Sequence, residues 1–222
     1  MEYRRIASLL ERQLLGIGLV MAGLTCAFGQ SFEKELEARI QTLVQKNGSG
    51  ADRELKQRLI AMGQRDQAVR QPEQIAAAPS AHAAKEQARV DAELTSELKQ
   101  IVADHGWPTI SLVGLEASES AELVLINSRD HDFQKELIPE LQKLTKEGRI
   151  LGLGIAAMLD KVLLSEGKPQ RFGTQFGFQE DRAEMLPVED PSDLDKRRAE
   201  FLLPPIAEYK EMIEQLYNVE IK

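Results

Sequence analysis

A mainly α-helical single domain with one small β-hairpin near its C-terminal third is the fold this sequence predicts. Three observations predict it. Apolar residues recur at spacings of three and four in segment after segment, the period of an amphipathic helix. Capping and turn residues (Asp52, Asn47-Gly48, Gly106, Gly148, Gly167) fall at the ends of those segments. Only between Arg171 and Val188 does the pattern change to two short extended runs around a turn. The chain has 222 residues, 42% of them hydrophobic and 5% aromatic, enough for one ordinary core plus an extension. It divides into a signal segment at residues 1–29, N-terminal helices with an Ala-rich linker at 30–83, and a helical core carrying the hairpin at 84–222.

The extension comes first. Arg4, Arg5 and Arg12 precede an apolar run from Leu14 to Phe28, and small residues Ala27 and Gly29 flank Phe28, the pattern a signal peptidase reads. An apolar run of 15 residues falls short of the roughly 20 that span a bilayer, so an uncleaved anchor is the lesser reading. Cys26 follows Thr25, a poor match to a lipidation box. Cleavage near Gly29 would export the protein to the periplasm or the exterior. The mature chain would begin at Gln30, carry a net charge of −9 and contain no cysteine.

Phe32, Leu36, Ile40, Leu43 and Val44 mark the first helix, which Asn47-Gly48-Ser49-Gly50 ends. Asp52 is the N-cap of a second, with Leu55, Leu59, Met62 and Val69 on one stripe and Gln71-Pro72 closing it. Residues 73–83 read as a linker, and a third helix runs from Ala84 to about His105 with Leu94, Leu98, Ile101 and Val102 inward. Gly106-Trp107-Pro108 stops it, and Ile110 to Leu115 reads as an extended or turn segment. Ser118 precedes an apolar helix through Ile126. The next carries Phe133, Leu137, Leu141 and Leu144, with Pro139 as a kink or restart and Gly148 at its C′ position. Ile155, Leu159, Val162 and Leu163 form another, closed by Gly167. After the hairpin, Asp190-Pro191-Ser192 opens a helical region with Asp195 in a variant capping box, and Pro204-Pro205 precedes a last helix with Ile206, Tyr209, Ile213 and Leu216.

Composition excludes several functions. With 28 Lys and Arg against 36 Asp and Glu, the net charge is −8 and no basic block exists, so a nucleic-acid partner is not expected. One cysteine and three histidines, none in a ligand-like pair, argue against a metal site, and no cofactor is expected. The segment Gly152-Leu153-Gly154-Ile155-Ala156-Ala157 matches G-x-G-x-x-A, but no β-α-β alternation surrounds it, so close helix packing explains the glycines better. Membrane association is expected only through the signal segment, were it uncleaved.

Polar residues on stripes that should be apolar are the informative signal. Asp66 is in phase with Leu55, Leu59 and Met62, and Arg70 follows it at i+4. Asp91 is in phase with Leu94 and Leu98, and Asp160 sits on an otherwise apolar helix beside Leu159 and Leu163. A buried carboxylate costs several kcal/mol unless paired, so each needs a partner or a wet cleft. The bland reading pairs Asp66 with Arg70 and Asp160 with Arg198 as buried ion pairs. His131, between Asp130 and Asp132, reads as part of a charged cap.

Several stretches form a set: Leu59 to Arg70, His105-Gly106-Trp107-Pro108-Thr109, Val113-Gly114, Phe133-Gln134, Leu159-Asp160, Gln170 with Gly173-Thr174-Gln175, and Asp195 to Arg198 ahead of Tyr209. In this order they resemble the bacterial domain of unknown function 6624 family. The resemblance covers residues 52–217 and implies no established activity. The chain departs from the family pattern at Lys161, Phe172 and Leu202, and Ile126-Asn127-Ser128-Arg129 lacks a histidine common there. If that histidine and the tyrosine replaced by Phe172 take part in chemistry, this member binds without turnover.

Three functions follow as expectations. The first is an extracytoplasmic binding module in which Asp66, Arg70, Trp107, Asp160, Gln175 and Arg198 form a polar pocket for a small polar ligand, a peptide or an envelope protein, with Trp107 as its apolar wall. The second is a hydrolase using Asp66 or Asp91 with Asp160 as acid and base on an envelope glycan or peptide. The third is a structural helical domain with buried ion pairs.

Overall fold

The computed structural model describes residues 30–70, 81–179 and 182–221. The expected signal segment at 1–29, Cys26 within it, and most of the expected Ala-rich linker lie outside the described residues. Nine α-helices and a small three-stranded sheet make up the described part. Helix α1 spans Gln30–Asn47, α2 Arg53–Ala68, α3 Ala81–His105, α4 Ile110–Val113, α5 Leu115–Asn127, α6 His131–Lys146 and α7 Leu153–Ser165. Strands β1 (Phe176–Gln179) and β2 (Arg182–Met185) form the hairpin, α8 (Leu194–Glu200) and α9 (Ile206–Tyr217) follow, and β3 (Glu220–Ile221) ends the chain. Among the described residues no helix is long and apolar enough to cross a membrane.

Local chemistry sets most boundaries. Asp52 caps α2 by accepting the Leu55 N–H at 2.9 Å, and Asp130 caps α6 by accepting that of Phe133 at 3.0 Å. Helix α6 runs through Pro139 without interruption, because that residue lies on the exposed face. Helix α3 begins at Ala81, three residues before the expected start, since the alanines at its head favour helix over linker.

Three expectations need correction. The segment Ile110–Val113, expected as extended or turn, is a single turn of helix: Ile110 and Val113, three apart, are both fully buried, and burial overrides their β preference. The hairpin strands are shorter than expected, because residues 170–175 fold as a turn around Asp160, and β3 adds an unforeseen parallel partner to β2. Asp195 is not in a capping box; it accepts the Ile206 N–H at 2.7 Å and so ties α8 to the start of α9.

Helix α5 is the centre of the bundle and packs against α2, α3, α4 and α7. Its approach to α2 is close enough that a Cβ on Gly63 would lie 2.7 Å from the Ser120 hydroxyl. Gly154 plays the same part toward α7, where a Cβ would meet Ile126 Cδ1 at 2.1 Å. Of the glycines in the G-x-G-x-x-A match, Gly154 therefore serves helix packing and Gly152, at φ 76°, forms the left-handed N-cap of α7. Leu59, Leu98, Ile101, Leu125 and Leu141 are fully buried around α5, each side chain stabilising the fold by about 1.5–3 kcal/mol. A smaller cluster of Tyr209, Met212 and Ile213 seats α9 against the sheet.

Candidate functional site

Two separate polar constellations emerge. The first lies where α2, α3 and the end of α5 meet. Arg70 Nη1 donates to Asp66 Oδ1 at 2.8 Å and to the Asp66 carbonyl at 3.0 Å, while Nη2 donates to Asp91 Oδ1. Asp66 Oδ2 accepts from Asn127 Nδ2 at 2.9 Å and from Gln67 Nε2 at 3.3 Å. Asp91 Oδ2 faces Arg129 Nε at 3.6 Å, an ion pair too long for a hydrogen bond. Two buried carboxylates thus share the Arg70 guanidinium, and the exposed Arg129 lies near Asp91. Burial pushes Asp66 up to about 6, against the pull of the Arg70 charge and the Asn127 hydrogen bond.

Beside this network an open groove of about 720 Å³ runs between α3 and the α5–α6 junction. Small side chains of α3 (Ala88, Ala92, Thr95, Ser96) form one wall, and Lys99, Arg129, Asp130, His131 and Asp132 complete it. Thr95 connects groove and network: its hydroxyl lies 2.6 Å from the Asp91 carbonyl and 2.9 Å from Ser128 Oγ. The Gln134 amide nitrogen donates to the carbonyls of Leu125 at 2.9 Å and Ser128 at 3.1 Å, so its oxygen faces His131 Nδ1, 3.1 Å away. That oxygen can only accept, so His131 Nδ1 is the donor in this contact.

The second constellation surrounds the turn at residues 170–175. Asp160, on α7 and fully buried, accepts the N–H groups of Arg171 at 2.7 Å, Phe172 at 3.0 Å and Thr174 at 3.0 Å, and the Thr174 hydroxyl at 2.8 Å. Gly173, at φ 64°, turns successive N–H groups toward one carboxylate, as in an anion nest. Burial raises the Asp160 pKa and these hydrogen bonds lower it, burial being the larger effect. Arg198 approaches the same turn and donates through Nη1 to the Phe172 carbonyl and through Nε to that of Pro204 at 2.6 Å. Its guanidinium lies 4.7 Å over the Tyr209 ring. Gln170 braces the turn through the Gln175 and Leu186 carbonyls, and Gln175 Nε2 reaches Thr174 Oγ1 at 3.0 Å.

The six expected pocket residues therefore do not form one contact set. Asp66 and Arg70 belong to the first constellation, Asp160, Gln175 and Arg198 to the second, and Asp66 and Asp160 share no hydrogen-bond partner among the described residues. Trp107 joins neither; it is buried in the main apolar core. The expected Asp66–Arg70 pair forms, but Asp160 and Arg198 do not hydrogen-bond each other. The backbone of one turn supplies donors to the carboxylate and an acceptor to the guanidinium, so neither charge takes the other as a direct partner, and Arg198 Nη2 has no hydrogen-bond partner among the described residues.

Two residues escaped the sequence reading. Glu119 and Glu122 lie on α5 and are both buried. Glu122 Oε1 accepts the Gly152 N–H at 3.2 Å, and its Oε2 has no hydrogen-bond partner among the described residues. Burial pushes Glu122 up to about 8 and Glu119 well above the usual carboxylate range. A signal for them existed. Helix α5 is small or apolar nearly all round, which marks a central helix whose every face is covered.

Fold and site together define a single-domain helical protein with a buried ionic network opening onto a surface groove. The chain belongs to the family of unknown function DUF6624, whose family model matches residues 53–222. No curated protein and no solved structure matches it.

Proposed function

We propose that this protein is a binding module for a small polar ligand or short peptide, received in the groove between α3 and the α5–α6 junction. The observation that carries the reading is Arg129: it lines the groove and reaches back through Asp91 to the buried Asp66–Arg70–Asn127 network. Such a network holds a recognition side chain at its base while leaving its outer edge to a ligand. The volume falls within the range of about 300–1,000 Å³ typical of small-molecule sites. Asp160, Gln175 and Arg198 serve architecture in this reading, because the turn they hold engages most of their polar atoms.

A thermal-shift screen of the purified protein against amino acids, peptides, glycans and nucleotides tests it. A selective stabilisation that Arg129→Gln removes supports the site. A screen without any stabilising ligand, combined with large destabilisation from Asp66→Asn or Arg70→Ala, would reduce the network to architecture and overturn the reading.

The same proposal places the protein outside the cytoplasm, supported by Arg4, Arg5, the apolar run Leu14 to Phe28 and the small residues Ala27 and Gly29. Mass spectrometry of the protein from its host tests this. Gln30 is the expected first residue, and a retained Met1 overturns cleavage.

A further inference from the structure

Two charges of opposite sign line the groove and are engaged by little else. Arg129 makes no hydrogen bond among the described residues, and its ion pair to Asp91 is long at 3.6 Å. Asp132, in the first turn of α6, makes neither a hydrogen bond nor an ion pair among the described residues. The other groups are occupied. Lys99 pairs with Asp130 at 2.6 Å and lies 5.2 Å over the Phe133 ring, and His131 Nδ1 faces Gln134.

We propose that the groove takes a zwitterion, a free α-amino acid or a short peptide, with its carboxylate on Arg129 and its ammonium on Asp132. This deepens the reading of the groove as a small-ligand site and rests on it. A guanidinium offers parallel donors that match a carboxylate in two-point contact. Asp132, lining the same groove, offers acceptors alone, which an ammonium group with three donors satisfies. Lys99, Arg129, Asp130 and Asp132 cancel in charge, so the groove has no net pull on a simple anion or cation. A ligand carrying both charges meets both uncommitted ends. Ala88 and Ala92, short and uncharged, line the same groove and select no charge.

Calorimetric titration of the purified protein with dialanine, its N-acetyl derivative and its C-terminal amide tests the assignment. Dialanine is expected to bind, and each blocked derivative to bind at least about tenfold more weakly, as loss of one charge-assisted contact requires. Arg129→Gln should abolish discrimination against the amide, and Asp132→Asn discrimination against the N-acetyl form. Both side chains are exposed, so circular dichroism should remain unchanged in both variants. Equal binding of free and N-acetylated dialanine, still sensitive to Arg129→Gln, would overturn the zwitterion assignment and leave the groove as a small-ligand site. Dialanine binding untouched by both variants would overturn it too. Absence of binding by all three probes, with unperturbed His131 ring resonances, would refute the zwitterion; the broader ligand screen then decides the groove separately.

Discussion

Replacing Glu122 by glutamine should change how stability depends on pH, and the structure sets the size of the change. Glu122 is fully buried, with one carboxyl oxygen on the Gly152 N–H and the other unpartnered. Burial moves its pKa from 4.5 to about 8. The folded protein therefore holds a proton that the unfolded chain releases above its ordinary carboxylate range. The folded state binds more protons throughout that window. Stability is fully present below the unfolded pKa and is lost as pH rises through the folded one, at about 1.4 kcal/mol per pH unit for a single group. Across the whole window this amounts to about 5 kcal/mol. Glutamine keeps the acceptor for Gly152 but buries an amide nitrogen where no acceptor stands, at a cost of about 1–3 kcal/mol. The variant should thus be less stable than wild type near pH 5 and more stable by about 2–3 kcal/mol near pH 8. Urea unfolding at several pH values, read with a constant m-value, measures the crossing. Glu119 has the same sign and survives in the variant, so the slope should be reduced rather than abolished. Parallel stability curves for the two proteins from pH 5 to 8 would refute the reasoning, because Glu122 would then be ionised in the fold at no cost.

Arg70→Ala leaves Asp66 and Asp91 together without their shared cation and should destabilise the protein by about 3–5 kcal/mol at neutral pH. The loss should shrink in acid as the carboxyls protonate, which chemical unfolding at two pH values would detect. Asp160→Asn sets an amide nitrogen against backbone N–H donors and should open the 170–175 turn, with faster hydrogen exchange at Arg171, Phe172 and Thr174; unchanged exchange there would contradict the assigned role. Gly63→Ala forces α2 away from Ser120 on α5 and should lower stability by about 1–3 kcal/mol, measurable as a fall in Tm.

Much of the fold was readable along the chain. The helical stripes, the Asp52 cap, the turns at Gly106, Gly148 and Gly167, and the hairpin all rest on interactions between residues a few positions apart. The Asp66–Arg70 pair was readable for the same reason, since i and i+4 on one helix must meet. Asp160 was recognisable as a buried carboxylate from its apolar neighbours on α7.

What answers each buried charge was decided only by tertiary packing. Asp91 comes to Arg70 from another helix, and Asn127 reaches Asp66 across 61 positions of sequence. Backbone amides of a distant turn replace Arg198 as the partners of Asp160, and no side-chain pattern announces a backbone donor. Trp107 looked like a binding wall because aromatic residues serve both cores and pockets, and the choice depends on which helices cover it. The groove itself follows from small residues on α3 standing opposite the α5–α6 junction, a juxtaposition made by helix packing. The sequence by itself determined most helix ends and the burial of Asp66, Asp91 and Asp160, because propensity, capping and periodicity act over a few residues; Glu119 and Glu122 are buried by the central place of α5. Which of those charges meet, and where the surface opens, depended on the free energy of packing whole helices against one another.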